Sequence, residues 1–124
     1  MISVLCVDDD TEVLNIMSEV LTSKYVVYLA TNGNEALKIL ETHSEISIVL
    51  ADRYMDGMEG IELLSIIAQK YPTCSRLLVS GYTELVEIIP TIEKGIIHRF
   101  IKKPWSMQSL IRTLDSLHKE ENIA

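Results

Sequence analysis

Ile48-Val49-Leu50-Ala51-Asp52 is an aliphatic run closed by a single carboxylate. Glu45-Ile46-Ser47 leads into it, and Arg53-Tyr54-Met55-Asp56-Gly57-Met58-Glu59-Gly60 follows with the glycines of a loop. An unbroken β-branched and aliphatic run is the signature of a strand covered on both faces of a parallel sheet. Asp52 is therefore expected at the strand's carboxyl edge, where open α/β sheets place their chemistry.

The same pattern recurs outward from this strand. Ser3-Val4-Leu5-Cys6-Val7 is a shorter apolar run ending in Asp8-Asp9-Asp10, so the first strand also delivers acid at its carboxyl end. Thr11 to Ser23 carries Val13, Leu14, Met17, Val20 and Leu21 at helical spacing, with Asp10 or Thr11 as the cap. Tyr25 to Ala30 reads as the second strand, Asn32-Gly33-Asn34 as a turn, and Glu35 to about His43 as the second helix. Beyond Asp52 a helix is predicted near Glu59 to Tyr71, with Ile61, Leu64, Ile67 and Ala68 inward and Pro72 as its stop. Arg76 to Ser80 is the fourth strand, ended by Gly81. Glu84 to Lys94 is a fourth helix, kinked or broken by Pro90 and closed by Gly95. Ile96 to Ile101 is the fifth strand, and Lys102-Lys103-Pro104-Trp105 a loop. Ser106 caps the last helix, with Met107, Leu110, Ile111, Leu114 and Leu117 on one face, and 119–124 is read as a frayed tail.

Strands alternating with helices through short connections specify right-handed crossovers and an α/β fold. The prediction is a doubly wound five-stranded parallel sheet of order 2-1-3-4-5. Its first and third strands are neighbours at the topological switch point, so Asp8, Asp9 and Asp52 converge in one cleft. The 124 residues suffice for one domain, 1–124, and the composition, 48% hydrophobic with five glycines and three prolines, is that of a globular chain. A net charge of −7 disfavours direct contact with a nucleic-acid backbone and favours cationic or metal partners. No apolar run is long enough to span a bilayer, and no basic region precedes an apolar one at Met1-Ile2-Ser3. The expectation is a soluble, cytoplasmic protein. Cys6 and Cys74 read as reduced, partly buried thiols, and His43, His98 and His118 as dispersed surface or edge residues.

Three carboxylates drawn together must share protons or hold a cation. An all-oxygen set suits Mg²⁺, with Mn²⁺ as the alternative, better than Zn²⁺. Mg²⁺ keeps coordination open for a phosphoryl oxygen, which points to phosphoryl transfer with Asp52 as the nucleophile that forms an acyl phosphate. Ser80 at the end of the fourth strand supplies a hydroxyl. Lys103 past the fifth supplies an ammonium that also pairs with Asp52, and a cis Lys103-Pro104 bond would fix the turn that aims it.

The ordered set Val4-Leu5-Cys6-Val7-Asp8-Asp9-Asp10, Asp52-Arg53-Tyr54-Met55 with Gly60, Leu77-Leu78-Val79-Ser80-Gly81 and Phe100-Ile101-Lys102-Lys103-Pro104 resembles the receiver domain of two-component response regulators over the whole chain. The tract Ser80-Gly81-Tyr82-Thr83, then Gly95 to Phe100 and Lys103-Pro104-Trp105, is similar to receivers that precede cyclic-di-GMP phosphodiesterase or AAA+ activator domains. The resemblance implies a flavodoxin-like (βα)5 fold and a signalling phosphoacceptor, whose only chemistry is self-catalysed phosphotransfer and autodephosphorylation. By position, Asp52 is the phosphoacceptor, and Asp8, Asp9, Asp52 and the backbone carbonyl of Tyr54 hold Mg²⁺. Ser80 and Lys103 bind the phosphoryl group, and Ser80 and Phe100 form the switch that repositions the surface of helix four, strand five and helix five. The implied partners are a sensor histidine kinase or histidine phosphotransfer protein and an effector domain or output protein, and a homodimer is compatible with that surface.

The chain departs from the family pattern at Asp56, where proline is usual, at Glu59 in place of aspartate, and at Gly81 in place of alanine. Tyr54 and Tyr82 are expected to flank the path of attacking water and slow hydrolysis. Pro90 is expected to make helix four easy to move. Ile16 is read as a core-edge residue and Trp105 as packing on its own helix. A competing enzyme reading, a haloacid-dehalogenase-type Mg²⁺ phosphatase with Asp8 as nucleophile and Asp10 as acid/base, lacks the later acidic pair that such enzymes carry on a strand.

Overall fold

In the computed structural model, residues 1–81 and 85–123 are described. Tyr82, Thr83 and the expected helix start at Glu84 lie outside the described residues, as does the side chain of His118. The elements are β1 (Ser3–Val7), α1 (Thr11–Leu21), β2 (Val26–Ala30), α2 (Gly33–Thr42), β3 (Ile46–Asp52), α3 (Gly60–Lys70), β4 (Ser75–Gly81), α4 (Leu85–Glu93), β5 (Arg99–Lys103) and α5 (Met107–Ile123). All strand pairings are parallel and the sheet order is β2-β1-β3-β4-β5, as the alternation predicts.

Side chains alternate across each strand and so divide the core into two layers. Leu5, Val7, Val49, Ala51 and Leu78 point to the face covered by Ala36 and Leu40 of α2, Leu63, Leu64 and Ile67 of α3 and Ile88 of α4. Val4, Cys6, Ile48, Leu50, Leu77 and Val79 point to the face covered by Leu14, Met17 and Leu21 of α1 and Leu110, Leu114 and Leu117 of α5. Leu50 lies at the centre of the second layer. Leu50→Ala is expected to cost about 3–4 kcal/mol, because the surrounding helices cannot fully close on the space. Thermal unfolding is expected roughly 10–15 °C lower in the variant.

Helix starts follow side-chain caps. The Asp10 carboxylate accepts from the Glu12 amide at 3.0 Å and opens α1. The Asn32 side chain accepts from the Glu35 amide at 2.8 Å, so α2 begins at Gly33, two residues before the sequence reading places it. Ser106 and Ser109 exchange side-chain and amide hydrogen bonds at 3.1 Å and open α5.

Several boundaries differ from expectation. β5 starts at Arg99 and runs through Lys103, whereas the apolar run had put the strand at Ile96 to Ile101. Gly95 has φ +76, and the Ile96 amide returns to the Thr91 carbonyl at 2.9 Å, so this segment caps α4. The Arg76 guanidinium also takes the Ile96 and Gly95 carbonyls at 2.9 and 3.1 Å. The ladder begins only where the His98 amide reaches the Arg76 carbonyl at 2.8 Å. α5 continues to Ile123, past the expected fraying point at Lys119, because Lys119-Glu120-Glu121 are good helix formers. Ile16, read as a core-edge residue, and Met107, placed on the inward face of the last helix, are about half exposed at 52% and 55%. In α3 the inward face is Leu63, Leu64 and Ile67, with Ala68 only half-buried. Pro90 sits inside α4 without ending it.

Candidate functional site

Register brings the acids together. β1 and β3 are adjacent with Val7 opposite Ala51, so the next residues, Asp8 and Asp52, emerge side by side at the carboxyl edge. Asp8 is 3% and Asp52 7% exposed, while Asp9 faces solvent. Asp8, Asp9 and Asp52 each present a carboxylate oxygen within 4.8 Å of the others. The Asp10 amide donates to Asp8 Oδ1 at 2.9 Å, the Asp56 amide to Asp9 Oδ2 at 3.1 Å, and Lys103 Nζ pairs with Asp52 Oδ1 at 2.5 Å. Lys103 stands at the end of β5 opposite Gly81, one residue inside the strand rather than beyond it, and the Lys103-Pro104 peptide is cis.

Burial pushes the Asp8 carboxyl above the ordinary carboxylate range. The Asp10 amide and Lys103 pull it down, while the charges of Asp52 and Asp9 push it up. Burial pulls the Lys103 ammonium down, but the hydrogen bond and charge of Asp52, with Asp8 and Asp9 beyond, hold it above the usual lysine value. Asp8 Oδ2 is buried and, among the described residues, has no hydrogen-bond partner. A buried carboxylate oxygen left unsatisfied among like charges costs free energy. A hard divalent cation would satisfy it, and the oxygen donors fit Mg²⁺ or Mn²⁺.

Metal-free Asp8→Asn protein is therefore expected to melt above wild type at neutral pH. A raised folded pKa means that the fold binds this proton more tightly than the unfolded chain does. The associated stability is complete below the unfolded value near 3.8 and is lost as pH rises through the folded value. Calorimetry in chelator should show the advantage of the Asp8→Asn variant shrinking as pH falls through the raised pKa of the Asp8 carboxyl, as the wild-type group takes up its own proton. A constant difference would assign it to packing.

The loop from β3 to α3 is pinned at both ends. The Arg53 amide donates to the Val79 carbonyl at 2.9 Å, and the Gly60 amide to the Arg53 carbonyl at 2.8 Å. Met55 is buried beneath the loop, and Gly57 turns it at φ +83. A Cβ on Gly60 would run into the Asp52 carbonyl, which is why α3 starts on glycine.

Ser80 is buried near the end of β4, one residue beyond Val79, which lies opposite Asp52 on the neighbouring strand. Phe100 lies on β5 opposite Leu78, half-buried against the layer that contains Ile88 of α4. The Tyr54 side chain is 53% exposed, with the Arg53 guanidinium 5.0 Å from its ring centroid. Trp105 is half-buried against the second layer and shares a groove with Val13, Ile16 and Pro104 beside Lys103.

Arg53, to which the sequence reading assigned no role, is buried next to the phosphoacceptor candidate and pairs with Glu87 of α4 at 2.7 Å. No local signal announces a partner on another helix. Arg76 and the Tyr25 hydroxyl, which donates to Asp115 at 2.6 Å, were likewise not anticipated. His98 Nδ1 accepts from the Arg76 amide, and His43 pairs with Glu45 at 3.3 Å, so both serve local structure. Cys6 and Cys74 are buried thiols, Cys74 donating to the Ile46 carbonyl at 3.2 Å, and burial pushes the Cys6 thiol up to about 12.

The family model for the response regulator receiver domain matches residues 4–115, from β1 to about the middle of α5, and includes every residue of the acidic edge. The chain belongs to this family. Among its relatives is the hydrogenase transcriptional regulatory protein HoxA of Cupriavidus necator, 31% identical over 112 residues, which cover 90% of this chain and 23% of that protein. A cyclic di-GMP phosphodiesterase of Thermotoga maritima is 32% identical over 109 residues, covering 87% of this chain and 28% of that protein. The receiver thus spans about a quarter of the length of these curated relatives. The signal receiver domain of an HD domain-containing protein from Pseudomonas fluorescens Pf-5 superposes with a TM-score of 0.89 at 28% identity, covering 98% of each chain. One of these relatives is named a cyclic di-GMP phosphodiesterase, one of the output classes whose receivers the tracts around Ser80 and Lys103 resemble, and another is named a transcriptional regulatory protein. The phosphatase alternative falls with the family assignment, and Asp10, its required acid/base, is occupied as the cap of α1. Among the described residues, no helix is long and apolar enough to cross a membrane.

Proposed function

We propose that this response regulator receiver accepts a phosphoryl group on Asp52 from a phosphohistidine of a sensor histidine kinase or a histidine phosphotransfer protein. One observation carries the reading: the Asp52 carboxylate stands at the edge of β3 within reach of Asp8 and Asp9 and against the Lys103 ammonium. Asp8, Asp9, Asp52 and the Tyr54 main-chain carbonyl would hold Mg²⁺, whose charge offsets that of the phosphoryl oxygens. An Asp52 oxygen attacks phosphorus in line, a P–O bond forms, and the P–N bond breaks with its electron pair leaving on the imidazole. Lys103 shifts from the carboxylate to a phosphoryl oxygen, and the Ser80 hydroxyl donates to another. The acyl phosphate adds a charge of about −1.5 to −2 at the sheet edge. Ser80 moves toward it, Phe100 turns inward behind it, and α4, β5 and α5 present a changed surface.

Val86, Ile89 and Ile92 are exposed on α4, which supports an output face there for an effector domain, an output protein or a second copy. The half-exposed Ile16 and the groove it shares with Trp105 support a docking place for the donor beside Lys103. Intact mass after incubation with acetyl phosphate and Mg²⁺ tests the proposal. Wild type should gain one phosphoryl group. A protein that gains none, or that turns over a generic phosphomonoester, is not this phosphoacceptor.

A further inference from the structure

Among the described side chains of α4 only Ile88 is buried, while Val86, Glu87, Ile89 and Ile92 face solvent. Glu87 nevertheless reaches the Arg53 guanidinium at 2.7 Å, an ion pair between a side chain that is 65% exposed and one that is 11% exposed. Its two ends are held differently. Arg53 follows Asp52 directly, and its backbone is fixed on both sides: the amide donates to the Val79 carbonyl at 2.9 Å, and the carbonyl accepts from the Gly60 amide at 2.8 Å. On the loop side the guanidinium lies 5.0 Å from the centroid of the Tyr54 ring. The fixed end of the pair therefore belongs to the loop after Asp52, and the movable end to α4. A displacement of α4 that carries Glu87 away withdraws a carboxylate from a buried guanidinium, which is costly because little water is there to replace it.

We propose that Arg53 and Glu87 form a latch that holds α4 in the position it has here. Arg53 is thus a positioning residue, acting on α4 through Glu87. The inference rests on reading Asp52 as the phosphoacceptor and α4 as part of the surface that responds to it. The latch must open for that surface to rearrange, so phosphoryl binding at Asp52 works against it. Removing the latch must, by linkage, tighten the binding of a phosphoryl mimic. A merely structural pair would lower the melting temperature of its variants without tightening anything.

Calorimetric titration of beryllium into the protein, in excess fluoride with Mg²⁺, reads that affinity. Arg53→Met keeps the length of the side chain and removes the guanidinium. It should bind beryllofluoride about three- to tenfold more tightly than wild type, and Glu87→Gln should do the same. The sign is decisive for Arg53→Met, because the loss of a positive charge near an anion site weakens binding through the field alone. Glu93→Gln makes the same charge change at the last position of α4 and should bind as wild type does. The double variant of Arg53→Met and Glu87→Gln should be no tighter than either single variant, since a latch opens only once. An Arg53→Met protein that binds as wild type or more weakly overturns the proposal, and so does a Glu93→Gln protein that tightens as much as Glu87→Gln. Should Arg53→Met fail to fold, the comparison of Glu87→Gln with Glu93→Gln decides alone. A wild type that binds no beryllofluoride fails at the earlier level, overturning the phosphoacceptor reading and the latch with it.

Discussion

Asp52→Asn is expected to abolish phosphoryl incorporation from acetyl phosphate, lowering the rate by about 10⁴-fold or more, to below detection. The substitution keeps the shape of the side chain and removes the anionic oxygen proposed to attack phosphorus. It also removes one of the three charges proposed to hold the cation, so on this reading beryllofluoride complex formation in the presence of Mg²⁺ should be lost as well. The fold should persist. Asp52 is paired with Lys103, whose side chain is 40% exposed and can hydrate its ammonium once the partner is gone. Relief of repulsion with Asp8 and Asp9 offsets part of the lost pairing. Circular dichroism should therefore show a native spectrum and a melting temperature within a few degrees of wild type. That combination makes the loss chemical. If Asp52→Asn still gains a phosphoryl group and Asp8→Asn does not, the nucleophile stands on β1 and the assignment of roles is wrong.

Gly60→Ala should damage fold and site together. The added Cβ meets the carbonyl of Asp52 and the backbone of Arg53, neither of which can swing aside as a side chain would. The loop must shift, and the bond from the Gly60 amide to the Arg53 carbonyl, 2.8 Å long, must stretch with it. Overpacking and the strained hydrogen bond together should cost about 2–4 kcal/mol and lower the melting temperature by roughly 8–15 °C. Because the displaced peptide is that of Asp52, beryllofluoride affinity should also fall in the fraction that remains folded. Gly81→Ala is the control, since among the described residues nothing lies within 4 Å of the corresponding Cβ. It should melt with wild type or slightly above it, because alanine has less backbone freedom to lose on folding, and equal losses in both variants would rule out the contact at Gly60 as the cause.

The order of elements, the two-sided burial of β3 and the strand order were legible because they depend on local periodicity and on the chirality of parallel crossovers. Asp8, Asp9, Asp52 and Lys103 could be brought to one edge from sequence alone, because each follows an apolar run whose end must lie there. The start of β5 was misread because Ile96 and Ile97 look like strand. A buried apolar residue has no preference for the sheet over the cap of α4, and Arg76 decides between them by taking the Gly95 and Ile96 carbonyls. Ile16 and Met107 were misplaced for a similar reason, since apolar character marks what can be buried and not what is.

The sequence by itself determined the alternation, the parallel sheet and the residues that meet at its carboxyl edge, since apolar spacing and strand ends are written locally. Only the tertiary structure decided which donors hold those residues. The Asp56 amide on Asp9, Arg53 against Glu87 and Tyr25 on Asp115 join positions far apart in the chain. Such pairs depend on the angle at which one packed element meets another, and side-chain packing sets that angle only when the whole chain is assembled.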